Sequence, residues 1–341
     1  MSPWSVWVLR RLVIAPAVML ITVLIWITLP AWLLVAALVS PVLPGRWRAL
    51  RLLWLFILYL TCETLLLLVM LGWWFSSGLG RWVRSPYFEG IHYDLVQGLT
   101  WVFFREAQRV LALRIETDGP TPDAHPGVPI LVACRHAGPG DSFILIHALM
   151  HWYHREPRVV LKDTLAWDPA IDVLLNRIPA RFIDPRGGEV EQHITELARG
   201  LDADDAFVIF PEGGNFTPER RQRAIDRLHK LGMDRMAGRA EAMTHVLAPR
   251  PGGFIAALDG APDADVVLVA HTGLDHMLTV ADVWRELPMD KVIVMRWWQV
   301  SREEIPEGRD ERIEWIFCWW ERIDEWINAN RPEDLGSPGR R

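Results

Sequence analysis

Cysteine is scarce in this sequence. Cys62, Cys134 and Cys318 are the full set in 341 residues. The number is odd and no two form a CxxC pair, which sets aside a disulfide framework and a cysteine-based zinc site and suits a reducing compartment. Acids are nearly missing from the first quarter: residues 1–86 hold seven arginines and one acid, Glu63, for a charge of +6. The remainder therefore carries −12 within an overall −6. That acidic body speaks against general nucleic-acid binding, whereas the basic, apolar start suits anionic lipid head groups. No internal repeat and no low-complexity linker is present. The length suits a membrane segment plus one sizeable catalytic domain.

Charge of either sign is absent from Leu12 to Gly45. A bilayer core needs roughly 20 helical residues, and this run is longer than one crossing requires. Pro16, Pro30, Pro41 and Pro44 punctuate it. The pattern predicts one helix over 12–39, bent near Pro30. A second apolar run between Arg51 and Arg81 predicts a helix over 52–75, with Glu63 its only charge. Trp4, Trp7, Trp47, Trp73, Trp74 and Trp82 stand near the ends of these runs, where indole rings anchor at the interface. Arg10 and Arg11 before an apolar run resemble a signal peptide, but the run is too long and a second follows directly. Two crossings and a re-entrant hairpin are both open, since arginine at both ends leaves the positive-inside count undecided. For Glu63, pairing with a polar group of a neighbouring helix is favoured over a place on a lipid pathway.

Beyond Pro86, residues 89–109 read as a helix, and short apolar runs then alternate with helical stretches. Strands are predicted at 129–134, 158–162, 181–183, 206–210, 265–271 and 291–297, and helices at 141–151, 168–176, 188–200, 217–231 and 251–259. This is the pattern of an α/β fold, a mostly parallel buried sheet flanked by helices. A helix over 308–329 presents Ile313, Ile316, Phe317, Trp320, Ile323 and Ile327 at helical spacing; docking on the body is favoured over contact with the membrane interface. The organisation expected is a membrane-embedded helical hairpin over 1–86, a catalytic domain over 87–300, an amphipathic helix over 301–330 and a disordered tail over 331–341.

His136 and Asp141 follow the strand PILVAC, with the turn Gly138-Pro139-Gly140 between them. Strand ends followed by tight turns are where α/β folds place reactive side chains. A carboxylate on one imidazole nitrogen fixes the tautomer and stabilises the imidazolium, and the other nitrogen can take a proton from a hydroxyl. The spacing alone is weak, because His229 and Asp234 repeat it in a polar stretch with no strand before it. Phe210-Pro211-Glu212-Gly213 follows a second apolar strand. An acid and glycines there can hold a hydroxyl and present backbone N–H groups to an oxyanion.

Taken together these blocks resemble the glycerophosphate and lysophosphatidate acyltransferase family. That family carries H-x4-D, a short block near FIDR, FPEG, and a Pro-containing apolar block. Here the series is His136–Asp141, then Phe182-Ile183-Asp184-Pro185-Arg186, then Phe210–Gly213, then Val246-Leu247-Ala248-Pro249-Arg250, in family order. The last block looks closest to the lysocardiolipin and lysophosphatidate branch. The resemblance spans about 90–300, and the two-helix amino terminus is also family-like.

The resemblance implies His136 as general base and Asp141 as its orienting partner. It implies Glu212, Gly213, Gly214, Pro249 and Arg250 as acceptor-binding residues, and Lys162 and Arg186 as candidates for the phosphate of the acceptor or of coenzyme A. Oxyanion donors would come from Gly213 and Gly214 or from Gly138 to Gly140. The implied donor is an acyl thioester of coenzyme A or acyl carrier protein, used as co-substrate with no bound cofactor and no metal. The implied partners are membrane lipids, and the expected location is the cell membrane, with the catalytic domain on the cytoplasmic side. This chain departs from the pattern in the Pro185 before Arg186 and in Gly214-Asn215, where many relatives have Thr-Arg. Rival readings are a different polar-lipid acceptor, a membrane-bound esterase or other hydrolase using Ser142, a metal site of His136, Asp141 and His147 or His271, and a non-catalytic scaffold. No G-x-S-x-G elbow supports the hydrolase.

Overall fold

The structure, a computed structural model, describes residues 3–332 apart from 44, 46, 120–126, 139, 185–186, 276–279 and 288–289, and without the side chains of 280, 283 and 285. The tail expected beyond 330 lies, from 333 onward, outside the described residues.

The first apolar run forms α1 (Pro3–Val8), a π-helical stretch Leu9–Ile14, α2 (Ala15–Ile27) and α3 (Leu29–Val39). Its break falls at Thr28, two residues before Pro30. A proline cannot donate to the carbonyl four residues back and its ring crowds that carbonyl, so the ladder restarts on Thr28, whose carbonyl accepts from Ala31 at 3.0 Å. The second run forms α4 (Arg48–Ser76), which packs on α2. Polar side chains pin the pair: Thr64 donates to the Thr22 hydroxyl at 2.9 Å, and the Trp26 indole to the Thr61 hydroxyl at 3.0 Å. Two helices, Trp4–Ile27 and Arg48–Ser76, are long and apolar enough to cross a membrane. Their outer faces leave Leu20, Leu24, Ile27, Phe56 and Leu68 exposed.

After α5 (Pro86–Leu111), α4 touches the rest of the molecule along its whole length. In its first turn Arg48 donates to the Leu287 carbonyl at 2.9 Å. At mid-length Glu63 accepts from the backbone N–H of Ala170 at 3.3 Å, the helix-partnered reading favoured for it. Near its end the Met70 carbonyl accepts from Arg177 at 2.7 Å. The outer two contacts stand about 33 Å apart along the helix axis.

The body alternates strands and helices: β1 (Leu113–Thr117), β2 (Ile130–Cys134), α6 (Asp141–His151), β3 (Glu156–Lys162), α7 (Pro169–Leu175), β4 (Ala180–Ile183), α8 (Val190–Ala198), β5 (Asp205–Ile209), α9 (Pro218–Lys230), α10 (Asp234–Ala242), α11 (Pro251–Gly260), β6 (Asp265–Thr272), α12 (Val280–Glu286), β7 (Lys291–Val300) and α13 (Arg309–Asn330). The seven strands form one sheet in the order β1-β7-β6-β2-β5-β3-β4. All neighbouring pairs are parallel except β6 with β7. The α/β fold with a mostly parallel sheet flanked by helices is therefore present.

β2 is central and buried throughout, because both its faces are covered. Its alternation sends Leu131 and Ala133 to one face, against α8–α11 and α13, and Ile130, Val132 and Cys134 to the other, against α6. α13 docks on the first face through Ile316, Phe317, Trp320, Ile323 and Ile327, all buried, so its apolar stripe is spent inside the protein. Since β2, β3, β4, β5 and β6 run the same way, their carboxyl ends share one edge of the sheet. Every block singled out in the sequence opens from that edge or from the loops beside it.

Candidate active site

His136 stands two residues beyond β2. Gly140 caps α6, and Asp141, the first residue of that helix, turns its carboxylate back over the loop. Asp141 Oδ2 accepts the backbone N–H of Ala137 at 2.6 Å and of Gly138 at 2.7 Å, and lies 3.4 Å from His136 Nδ1. The carboxylate is thus fixed by main chain before it meets the imidazole. Burial works against its ionisation; His271, His136 and the Gly138 N–H outweigh it, and its pKa falls below the usual value. The His136 ring leans on Phe210, with centroids 4.6 Å apart.

Glu212 lies behind this pair, 2 % exposed. Its Oε1 accepts the backbone N–H of His136 and its Oε2 that of Leu247, each at 2.9 Å. Both oxygens are occupied by main chain, so Glu212 is placed to join the first, third and fourth blocks rather than to touch an acceptor, the place the sequence suggested. Burial pushes its pKa up to about 7, with the Arg135 charge opposing. Two further main-chain bonds tighten the same joint: Phe216 N–H to His136 O at 2.8 Å, and Arg250 N–H to Pro211 O at 2.7 Å.

The glycine loops divide their N–H groups unequally. Gly138 gives its own to Asp141, Gly140 to Gly138 O and Gly213 to Phe210 O. The expected donors at Gly138, Gly140 and Gly213 are therefore engaged. The N–H of Gly214, a buried residue, has no partner among the described residues. Gly213 adopts φ +69°, a conformation that favours glycine, and a Cβ there would stand 3.1 Å from the Arg250 side chain. Arg250 thus lies across the loop; partial burial, then Arg227 and Arg220, lower its pKa. Pro249, the residue before it, is buried. Lys162 is exposed at the end of β3, two strands from β2 and so roughly 10 Å across the sheet, on the same edge. Arg186 lies outside the described residues.

Sequence reasoning passed over Arg135 and saw His271 only as a metal ligand. Arg135 is 1 % exposed; it donates to His271 O at 2.6 Å and to His245 O at 2.9 Å and pairs with Asp275. Burial opposes ionisation of Asp275, but Arg135 and the Thr272 hydroxyl hold its carboxyl well below the usual range. This linkage ties the end of β6 to β2. It brings His271 Nε2, buried and without a hydrogen bond among the described residues, to 3.6 Å from Asp141 Oδ2. Burial lowers the His271 pKa. An arginine beside a histidine is a visible signal, but its carboxylate partner 140 residues away is not.

The second H-x4-D also forms a contact. His229 Nδ1 lies 2.8 Å from Asp234 Oδ1, closer than the pair at the strand end, on an exposed surface. Distance therefore does not separate the two copies; burial, fixed main-chain partners and position on the sheet edge do. Among the described residues no group of three or more His, Cys, Asp or Glu is placed to hold a metal ion. His147 packs instead between Phe104 and His151.

No curated protein matches the chain. Among solved structures, the crystal structure of the 1-acyl-sn-glycerophosphate acyltransferase PlsC from Thermotoga maritima is similar at 13 % identity with a TM-score of 0.45, covering 79 % of this chain and 99 % of that one. A family model described as Acyltransferase matches residues 114–269. That stretch contains all four blocks, from His136 to Arg250, together with the main-chain bonds that join the first, third and fourth. Residues 114–269, a little under half of the chain, therefore form a domain of the Acyltransferase family.

Proposed function

We propose that the enzyme transfers a fatty acyl group from a thioester to the hydroxyl of 1-acylglycerol-3-phosphate or a related lysophospholipid, a step of phospholipid biosynthesis, with His136 as general base. The observation that carries this is the His136 Nδ1 turned to an Asp141 carboxylate that two backbone N–H groups hold in place. Nε2 then faces the acceptor. It takes the hydroxyl proton as the oxygen attacks the thioester carbonyl; the C–S bond breaks, and the departing thiolate recovers the proton from the imidazolium. The Gly214 N–H meets the developing oxyanion. Arg250 and Lys162, on the same edge as His136, attract the acceptor's phosphate, and Arg186 keeps the role that the family resemblance implies. The donor is acyl-coenzyme A or acyl carrier protein, used as co-substrate, with no resident cofactor.

The hairpin is read as membrane-embedded, lying in one leaflet with the body at the cytoplasmic surface. What supports this is α4, whose first turn and last turns both touch the body. A helix standing across a bilayer would meet a domain on one side at one end only. Trp101 and Phe143, on α5 and α6, are further exposed apolar side chains outside the hairpin.

The test is transfer in vitro from a labelled acyl thioester to a panel of lysolipids, with products resolved with and without acceptor. Label in a diacyl lipid only when the lysolipid is present supports the reading. Label released as free fatty acid regardless of lysolipid would make the enzyme a hydrolase.

A further inference from the structure

A second cationic site lies where the hairpin meets the body, and it shares no residue with the cluster around His136. A cavity of about 470 Å³ opens between the start of the first apolar run, the turn after α4 and the end of α7. Arg11, Arg81, Arg84 and Arg177 line it, with Trp7 and Trp74. The carboxylate at its margin, Asp172, is fully buried and already shared by Arg10 at 3.2 Å and Arg11 at 2.8 Å. Arg84 donates to the Asn176 carbonyl at 2.9 Å, and Arg177 to the Met70 carbonyl; Arg81 lies over the Trp82 ring. Among the described residues none of these three has an acidic partner. Burial, with the Arg11 charge adding, brings the Arg177 pKa down to about 10, a sign that the cations repel one another in a poorly hydrated place. An anion placed among them would relieve that repulsion.

We infer that this cavity holds the phosphate of an anionic bilayer phospholipid, whose acyl chains lie along the exposed apolar face of the hairpin. The two indole rings sit at its rim, where such rings favour the head-group level. The lining offers no carboxylate to a choline or ethanolamine amine, so the excess positive charge selects lipids with a net negative head group. The inference rests on the reading of the hairpin as membrane-embedded and is independent of the reaction at His136.

The test uses the full chain in nanodiscs of phosphatidylcholine and phosphatidylglycerol in equal parts. Lipid retained after mild detergent extraction is measured by native mass spectrometry. Wild type should retain phosphatidylglycerol over phosphatidylcholine, and the preference should fall by roughly fivefold for each arginine removed in R81Q and in R81Q/R84Q. Both arginines are exposed, so these variants keep the fold. Equal retention of the two lipids by wild type would overturn the inference. So would displacement of phosphatidylglycerol by an equimolar amount of inorganic phosphate, which would mark a site for soluble anions. A raised KM for the lysolipid in R81Q/R84Q, with phosphatidylglycerol retained as in wild type, would make the cavity an acceptor site and equally overturn it. Failure of the chain to enter nanodiscs would refute the membrane reading itself, an outcome distinct from the other three.

Discussion

Glu212 reaches from the end of β5 to the backbone N–H of His136 at 2.9 Å and holds the base by its main chain, while its other oxygen holds Leu247. A glutamine in its place has one acceptor oxygen for two donors. Its amide would face a backbone N–H in a buried site, at a cost of about 1–3 kcal/mol. Glu212→Gln should therefore lower both stability and kcat, and Glu212→Asp, a methylene shorter, should not restore them. Thermal unfolding in detergent alongside steady-state transfer rates checks this.

The same carboxyl makes a pH-dependent contribution. Burial raises its folded pKa from 4.5 to about 7. Between those values the folded state keeps a proton that the unfolded state releases, so the contribution is complete below 4.5 and is lost as pH rises through 7. Glu212→Gln does not titrate there. The stability gap between wild type and this variant should narrow as pH rises from 5 to 8, by a few kcal/mol at most. A gap that widens over that range would show that the carboxyl is held ionised instead.

His136→Ala should reduce acyl transfer by roughly 10³-fold or more, with expression and membrane association unchanged. Asp141→Asn separates charge from geometry. The N–H groups of Ala137 and Gly138 would hold the amide oxygen where Oδ2 now lies, so the imidazole keeps its orientation and loses its counter-charge. Transfer should drop by roughly 10²-fold with little change in melting temperature. A fall no larger than twofold in either variant would remove that residue from the mechanism.

His229 supplies the internal control. It sits closer to its aspartate than His136 does, yet is exposed and far in sequence from any strand end. His229→Ala should leave transfer rates within about twofold of wild type and cost less than about 0.5 kcal/mol of stability. Kinetics on the purified variant decide it.

Much of this architecture was readable from residue pattern. Apolar runs such as AFVIF and DVVLVAH mark strands covered on both faces, and each of the six strands expected is present. β1 was missed because LRIET is a short edge strand with alternating exposure, and such a segment has no continuous apolar signal. α10 was missed because Asp234–Ala242 is polar on its outer face and contributes only Met236, Ala237 and Ala240 to the core. At the site, the blocks located His136, Asp141, Glu212 and Arg250. They did not reveal that Glu212 faces main chain, or that Arg135 and Asp275 clamp β6 to β2. Those facts depend on pairings between residues 35 and more positions apart, which no local window contains.

Glu63 and the Ala170 N–H that it accepts are separated by 107 residues. At ordinary rates of translation the ribosome needs about 5–20 s to cover that distance. Through that interval the carboxyl has the Tyr59 hydroxyl, one turn back on its own helix, while the N–H that α7 will offer has not yet been made. The seating of α4 on the body is therefore a late event in the chain's synthesis, closed by a segment made long after the helix itself.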